Sequence, residues 1–296
     1  MPSLGSHSVR FLVESRPDKM YNIRVPGARR CPAAFCCNLP FPGSFAMRQG
    51  FFTITENRKL ADATFLMRLE GDTEAITAPG QFVNIKLDGF YLRRPISVFD
   101  CGGKTLSIIY KVVGRGTDAL SKTEPGKALD LLTGLGNGYD IGAAGKRPLL
   151  IGGGVGVPPL YWLCKKLAAQ WAMPQVVLGF NSAKDVFAVD EFRAVAGPDV
   201  KIVTVDGSYS DISGRNKGFV TDFLPASYTY FYTCGPEPML RAVYKATSTE
   251  GEFSFEERMG CGFGACMGCS CKTVTGYKRI CKDGPVLKKE EILWKN

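Results

Sequence analysis

A single histidine, His7, is all that 296 residues supply, and it lies outside every patterned stretch. A Ser/His/Asp triad, a Rieske centre, Cys/His zinc fingers and histidine-ligated haem therefore have no support. No run of 18 apolar residues occurs, so nothing is expected to span a membrane. Internal repeats and low-complexity tracts are also missing. The net charge is +9, but six basic and two acidic side chains fall in residues 1–46, which leaves +5 for the remainder. Those cations are interspersed with acids, which is no footprint of a nucleic-acid binder. What the chain does have is 45% apolar content, enough at this length for two or three domains with cores of their own. It also has eleven cysteines. The count is odd and a protein of this size needs no staples, so metal or redox thiols in a reducing compartment, taken as the cytoplasm, fit better than a disulfide framework.

Residues 1–46 hold three of the cysteines with several prolines and arginines and show no sustained period. They read as a dispensable extension or upstream start, with a transit peptide as the alternative. A chain beginning at Met47 is expected to fold and function. From Phe51 to about Lys146 six short strand-like runs (FTIT, TFLMRLE, GQFVNIKL, ISVFD, TLSIIYKVV, ALDLLTGL) are separated by Gly, Pro and Asp, the spacing of a small antiparallel barrel. From Pro148 apolar runs alternate with glycine turns and helical patterns, with a helix starting about Pro158. That rhythm predicts a parallel sheet carrying ligands at the carboxyl ends of its strands. A tail from about Gly251 carries MGCGFGACMGCSC, four cysteines and four glycines in thirteen residues.

The tail thiols follow C-x4-C-x2-C, then eleven residues, then C, through Cys261, Cys266, Cys269 and Cys281. This is the plant-type [2Fe-2S] spacing, in which one tight loop gives three thiolates and a distant residue closes the site. Gly260, Gly262, Gly264 and Gly268 let such a loop curl and turn N–H groups toward sulfur. A zinc ribbon is the alternative, although it pairs two C-x2-C knuckles and only one is present. Cys271 is surplus by spacing and is expected to be a spectator.

Three glycine-bearing strand ends, IGGGVGVPP, VDGS and TCGPEPM, suit convergence on one dinucleotide, the first through loop N–H groups and a helix N-terminus. Tight strand-to-helix packing also demands glycine, so each turn alone is weak evidence, and the spacing differs from G-x-G-x-x-G. In the barrel, RRPIS and IYKVVGRGT put cations and hydroxyls beside small residues. They fit a pyrophosphate and a flat ring, or simply an exposed charged barrel edge.

Taken together, R-x-x-S in a barrel, GGGVGVPP and CGPxPM resemble the ferredoxin reductase superfamily. The tail ERMGCGFGACMGC with CKDGPV resembles one branch of it, the electron-transfer subunits of dihydroorotate dehydrogenase B. The likeness covers about residues 47–291. It implies an α+β multidomain chain with an extension (1–46), an antiparallel β-barrel FAD domain (47–146), an α/β parallel-sheet NAD domain (147–250) and a small [2Fe-2S] domain (251–296). It implies that Arg94, Pro95, Ile96 and Ser97 contact FAD, with Ile109, Tyr110, Lys111, Gly116 and Thr117 continuing that site. Gly152, Gly153, Gly154, Val155, Gly156, Asp206, Gly207, Ser208, Cys234, Gly235 and Pro236 would face NAD, and Arg215 with Lys217 leave NADP open.

The order NAD, FAD, cluster then follows from chemistry, because a flavin alone exchanges both hydrides and single electrons. No base-bearing loop is left to oxidise an organic substrate. The resemblance therefore implies a partner, an FMN-containing subunit that oxidises dihydroorotate, with two copies of each chain, in pyrimidine biosynthesis. A flavoprotein subunit of a sulfide dehydrogenase or of an NADH-dependent ferredoxin:NADP oxidoreductase reads similarly, and a zinc-bearing scaffold is the reading from another class.

Overall fold

The computed structural model describes residues 8–9, 23–24, 47–210, 214 and 216–294. The chain forms two compact units, Met1–Ser44 and Phe45–Asn296. In the first, β1 (Ser8–Val9) pairs antiparallel with β2 (Ile23–Arg24); the other features expected of residues 1–46, His7 included, lie outside the described residues.

The second unit begins with a closed antiparallel barrel. Its strands are β3 (Arg48–Ala61), β4 (Thr64–Glu70), β5 (Phe82–Ile85), β6 (Arg94–Gly102), β7 (Thr105–Lys111) and β8 (Ala128–Leu135), paired in the order β3-β4-β7-β6-β5-β8. Alternation builds it: Phe52 and Ile54 on β3 point inward at 1% exposure while Phe51 and Thr53 face water. Two register shifts, at Ile54/Glu56 and Lys59/Ala61, bend β3 enough to pair with β4 along its length and with β8 at its start. Closure removes the unpaired edges that an open sheet of this size would expose. Between β7 and β8 the chain forms a short helix, α1 (Arg115–Ser121), which the reading of this segment as six strands did not include.

The second layer is a six-stranded sheet ordered β11-β10-β9-β12-β13-β16. β9 (Leu149–Gly153), β10 (Gln175–Phe180), β11 (Lys201–Thr204), β12 (Phe231–Cys234) and β13 (Gly251–Ser254) are parallel, and β16 (Val286–Lys288) is antiparallel. Strand β9 is apolar on both faces because both are covered. Leu150 packs with Leu160, Leu163 and Leu167 of α2 (Pro158–Ala169), and Leu149 and Ile151 pack with Leu240 and Val243 of α4 (Glu237–Ala246). Helix α3 (Val189–Ala196) adds Phe192 on the α2 side. The chain leaves β9 toward β10 and β11, then returns to β12, so the topological switch lies between β9 and β12. Helix α2 also ties sheet to barrel: Tyr161 stacks on Phe99 of β6 with ring centroids 4.4 Å apart, and Lys165 pairs with Asp100 at 2.7 Å.

The thiol loop follows β13. A hairpin of β14 (Ser270–Thr273) and β15 (Gly276–Arg279) and a single turn, α5 (Ile280–Asp283), lead into β16. Phe82, Leu132 and Leu135 of the barrel form one core with Cys269, Ile280, Cys281 and Leu287. Asn137 stitches this junction, its Nδ2 donating to Val286 O at 2.8 Å and its Oδ1 accepting from Val286 N at 3.0 Å. No helix among the described residues is long and apolar enough to cross a membrane.

Candidate functional site

A cleft of about 460 Å³ opens at the barrel beside β6, lined by Gly89, Phe90, Tyr91, Arg94 and Val113 to Thr117. The Arg94 guanidinium lies over the Phe90 ring, 4.9 Å from its centroid, and Nη1 donates to Leu92 O. A Cβ at Gly116 would come within 2.1 Å of Arg94 Nε, so only glycine there leaves the cation its place. The Thr117 hydroxyl accepts from Val113 N at 3.0 Å and donates to Gly114 O at 3.1 Å, fixing the loop that enters α1. Pro95, Ile96 and Ser97 follow along β6, each half-buried. Lys111 reaches the other way, to Asp185 of the sheet layer at 3.3 Å. Ile109 and Tyr110 are buried, and Tyr110 donates to Asn57 Oδ1 at 2.9 Å and stacks on Phe65, so its side chain is occupied inside the barrel. Phe90, Tyr91 and Arg115, which line the cleft, carry no period that sequence reading could use.

At the sheet, Gly152 to Gly156 and Cys234 to Pro236 meet at the switch between β9 and β12. A Cβ at Gly156 would sit 2.4 Å from the Cys234 carbonyl, and one at Gly153 would sit 2.4 Å from Met239 Sδ. Gly156 thus permits backbone-against-backbone contact, and Gly153 makes room for the Met239 side chain. The residues that open α2, Pro158 and Pro159, have no N–H. Donors at this turn are therefore those of the glycine loop rather than of the helix start. Asp206 to Ser208 follow β11 on the same edge, three strand spacings or about 14 Å from β12. Asp206 accepts from Ser208 Oγ and N at 2.7 and 2.9 Å, which holds its carboxyl below the usual range, and Ser208 Oγ accepts from Ala183 N at 2.8 Å beyond β10. Lys217 packs beside Gly207; Arg215 lies outside the described residues. Burial pushes the Cys234 thiol up to about 12.

The tail thiols fall into two pairs. Ala265 N and Cys266 N donate to Cys261 Sγ at 3.2 and 3.4 Å, and Cys261 N donates to Cys266 Sγ at 3.4 Å. The second pair is buried, Cys281 N donating to Cys269 Sγ at 3.4 Å. Partial burial opposes ionisation of Cys261, but the N–H groups of Cys266, Phe263 and Ala265 outweigh it and lower the thiol to about 6. Burial, then the neighbouring Cys269, pushes Cys281 up to about 12. Arg279 braces the loop, donating to Gly264 O at 3.0 Å while paired with Asp283. No three His, Cys, Asp or Glu side chains among the described residues converge on a single-ion point. Two thiol pairs, four sulfurs in all, suit a two-iron centre better. Cys271, on β14, is half-buried and belongs to neither pair.

Sequence reading also missed Asn84. It is 1% exposed on β5, donates from Nδ2 to Cys261 O at 3.2 Å, and its Oδ1 has no partner. A buried amide oxygen left unpaired costs about 1–3 kcal/mol. One asparagine inside the apolar run FVNI was the available signal.

Comparison with known proteins adds the family. Residues 256–293 match the model described as the iron-sulfur cluster binding domain of dihydroorotate dehydrogenase B. A dihydroorotate dehydrogenase B (NAD(+)) electron transfer subunit of Bacillus pumilus is 41% identical over 261 residues, covering 83% of this chain and 98% of the relative. Its Fusobacterium nucleatum counterpart is 39% identical, covering 81% and 96%. Among solved structures, an NADH-dependent reduced ferredoxin-NADP oxidoreductase superposes with a TM-score of 0.72 at 28% identity, covering 82% of this chain and 90% of that one. An Amycolatopsis cytochrome P450 reductase shares the fold at a TM-score of 0.58 and 23% identity, covering 68% and 65%. On the identity and the coverage of these relatives, the chain belongs to the family of dihydroorotate dehydrogenase B electron transfer subunits.

Proposed function

We propose that this chain passes electrons from the FMN of a dihydroorotate-oxidising partner, through a [2Fe-2S] cluster and FAD, to NAD, in pyrimidine biosynthesis in the cytoplasm. One observation carries the reading. The buried thiol pair, Cys269 and Cys281, packs into the barrel against β5 and β8, Asn84 of β5 holds the Cys261 carbonyl of the other pair, and β5 is hydrogen-bonded to β6, the strand of Arg94. Thiol centre, barrel cleft and sheet switch therefore belong to one compact unit.

In this reading Cys261, Cys266, Cys269 and Cys281 hold the cluster. The buried Cys281 thiol, protonated on its own, would lose its proton to solvent once its sulfur coordinates iron, since a coordinating thiol is deprotonated outright. Arg94 holds an anionic part of FAD, Gly116 leaves that cation room, and Pro95, Ile96 and Ser97 pack the ring. Gly152 to Gly156 and Cys234 to Pro236 admit NAD, with Asp206 to Ser208 at its far end. Flavin is the group able to exchange hydrides with a nicotinamide and single electrons with iron. The partner carries the organic chemistry, with two copies of each chain in the complex; the divisions at 46, 146 and 250 separate the roles, although Gly251–Ser254 and Val286–Lys288 of the last part complete the sheet. The relatives at 39–41% identity favour this branch over the ferredoxin-NADP oxidoreductase at 28%.

Co-purification with an FMN-bearing dihydroorotate dehydrogenase subunit tests the proposal. The complex is expected to be coloured by flavin and cluster and to form NADH from dihydroorotate and NAD. A colourless chain holding zinc, or a complex inactive with dihydroorotate, contradicts it.

A further inference from the structure

Asn84 joins the barrel to the thiol loop across 177 residues of sequence. On one side it is registered with Pro95 of β6, on the other with Leu132 of β8. Its Nδ2 holds the Cys261 carbonyl, and a Cβ at Gly262, where φ is +81°, would come within 2.3 Å of that nitrogen. The Cys261–Gly262 peptide is therefore pressed onto the amide. The backbone carbonyl of Asn84 accepts from Arg93 Nη1 at 3.3 Å, and Arg93, paired with Asp130 at 2.9 Å, precedes Arg94. A continuous run of bonds and hydrogen bonds thus leads from the cation of the cleft to the first thiol of the loop.

An asparagine that merely filled the barrel wall would be replaceable by a leucine of similar volume, without a buried amide oxygen left unpaired. We infer that Asn84 is a positioning residue: it seats the Cys261–Gly262 peptide against the strand beside β6, and so fixes where the thiol centre stands and which dipoles it meets. The inference rests on the FAD and iron-sulfur reading above. Hydrogen bonds and fixed dipoles around the sulfurs are what a protein uses to set the potential of such a centre.

The test uses the full chain, isolated with its bound groups, in the variants Asn84→Leu and Asn84→Asp. FAD and iron contents, the electron paramagnetic resonance spectrum, the midpoint potential of the cluster, and the separate rates of flavin and cluster reduction by NADH are measured. Both variants are expected to keep FAD and to bleach it at the parental rate. Their cluster spectrum and potential shift, and cluster reduction slows by about tenfold or more. Loss of iron with FAD retained also supports the role. An unchanged spectrum, potential and rate overturns it, as does loss of FAD together with iron, which would mark Asn84 as barrel core. A parental chain without a [2Fe-2S] signal contradicts the cluster reading itself, an outcome separate from any behaviour of the variants.

Discussion

The loop Gly152–Gly156 and the loop Gly260–Gly268 each hold four glycines and need them for different reasons. In the first, neighbours dominate: Gly156 abuts the Cys234 carbonyl at a distance no side chain tolerates, and Gly154 alone turns at positive φ, +51°. In the second, torsion dominates: Gly262 and Gly264 turn at φ +81° and +91° so that the chain wraps its own thiols, with Gly262 also crowded by Asn84. The cysteines beside them differ accordingly. Cys234 is half-buried at the end of β12 with its thiol pushed up to about 12, whereas Cys261 is surrounded by N–H groups and lowered to about 6. Glycine content alone therefore does not identify a ligand loop. The direction in which the backbone donors point, inward on sulfur or outward along a strand end, separates one kind of site from the other.

The sharpest way to break this comparison is to remove the thiols. Replacing Cys261, Cys266, Cys269 or Cys281 by serine is expected to abolish bound iron and the [2Fe-2S] resonance, because an alkoxide is harder and its hydroxyl far less acidic. Cys271→Ser keeps both. Iron analysis of the five proteins decides the ligand set, and a cluster that survives in Cys281→Ser but disappears in Cys271→Ser would reassign it.

Next in size is Arg94→Ala. Loss of a charge-assisted contact costs about 1.5–3 kcal/mol, roughly 10- to 150-fold in affinity for FAD. Dialysis followed by the flavin absorbance reads this, with the iron content unchanged. Flavin held as tightly as in the parent removes the cleft from the FAD site.

Gly156→Ala examines the crowded loop by itself. Overpacking there costs about 1–3 kcal/mol, so the KM for NADH should rise while the iron resonance stays as it was. A disturbed iron signal with normal NADH kinetics would show that the two loops are not separable as described.

The smallest effect is a difference in thiol reactivity with pH in the iron-free chain. Cys261 is lowered from 9.0 to about 6, so iodoacetamide labelling should reach half its plateau near pH 6, and Cys234 should stay unlabelled through neutral pH. The same lowering gives Cys261 a stabilising contribution that is present above its unfolded value near 9 and lost as pH falls through about 6. Equal labelling of both thiols at pH 7 would refute the contrast.

Much of the scaffold was legible because it repeats locally. Short strand-like runs separated by Gly, Pro and Asp marked the barrel strands, and the apolar run before GGGVGVPP marked β9 and the start of α2. The thiol spacing by itself points to Cys261, Cys266, Cys269 and Cys281. What could not be read depends on distant neighbours. Gly251–Ser254 and Val286–Lys288 are too short to show their membership of the sheet, which comes from pairing with β12 and with each other. Phe90 and Tyr91 belong to a loop whose meaning is the cleft it borders. Tyr110 follows a strand pattern equally compatible with either face, and only the Asn57 contact shows that its side chain is committed to the core. Asn84 waits on a carbonyl 177 residues away.

The central claim is that the thiol centre is where this chain exchanges electrons with the partner, and one paired assay on Cys281→Ser tests it most directly. Turnover of NADH with a small artificial acceptor needs the flavin and sheet sites alone, and should persist at the parental rate. In the same protein, assembled with the FMN-bearing subunit, NADH formation from dihydroorotate should collapse. Unimpaired dihydroorotate-driven turnover in a chain shown to contain no iron would contradict the account.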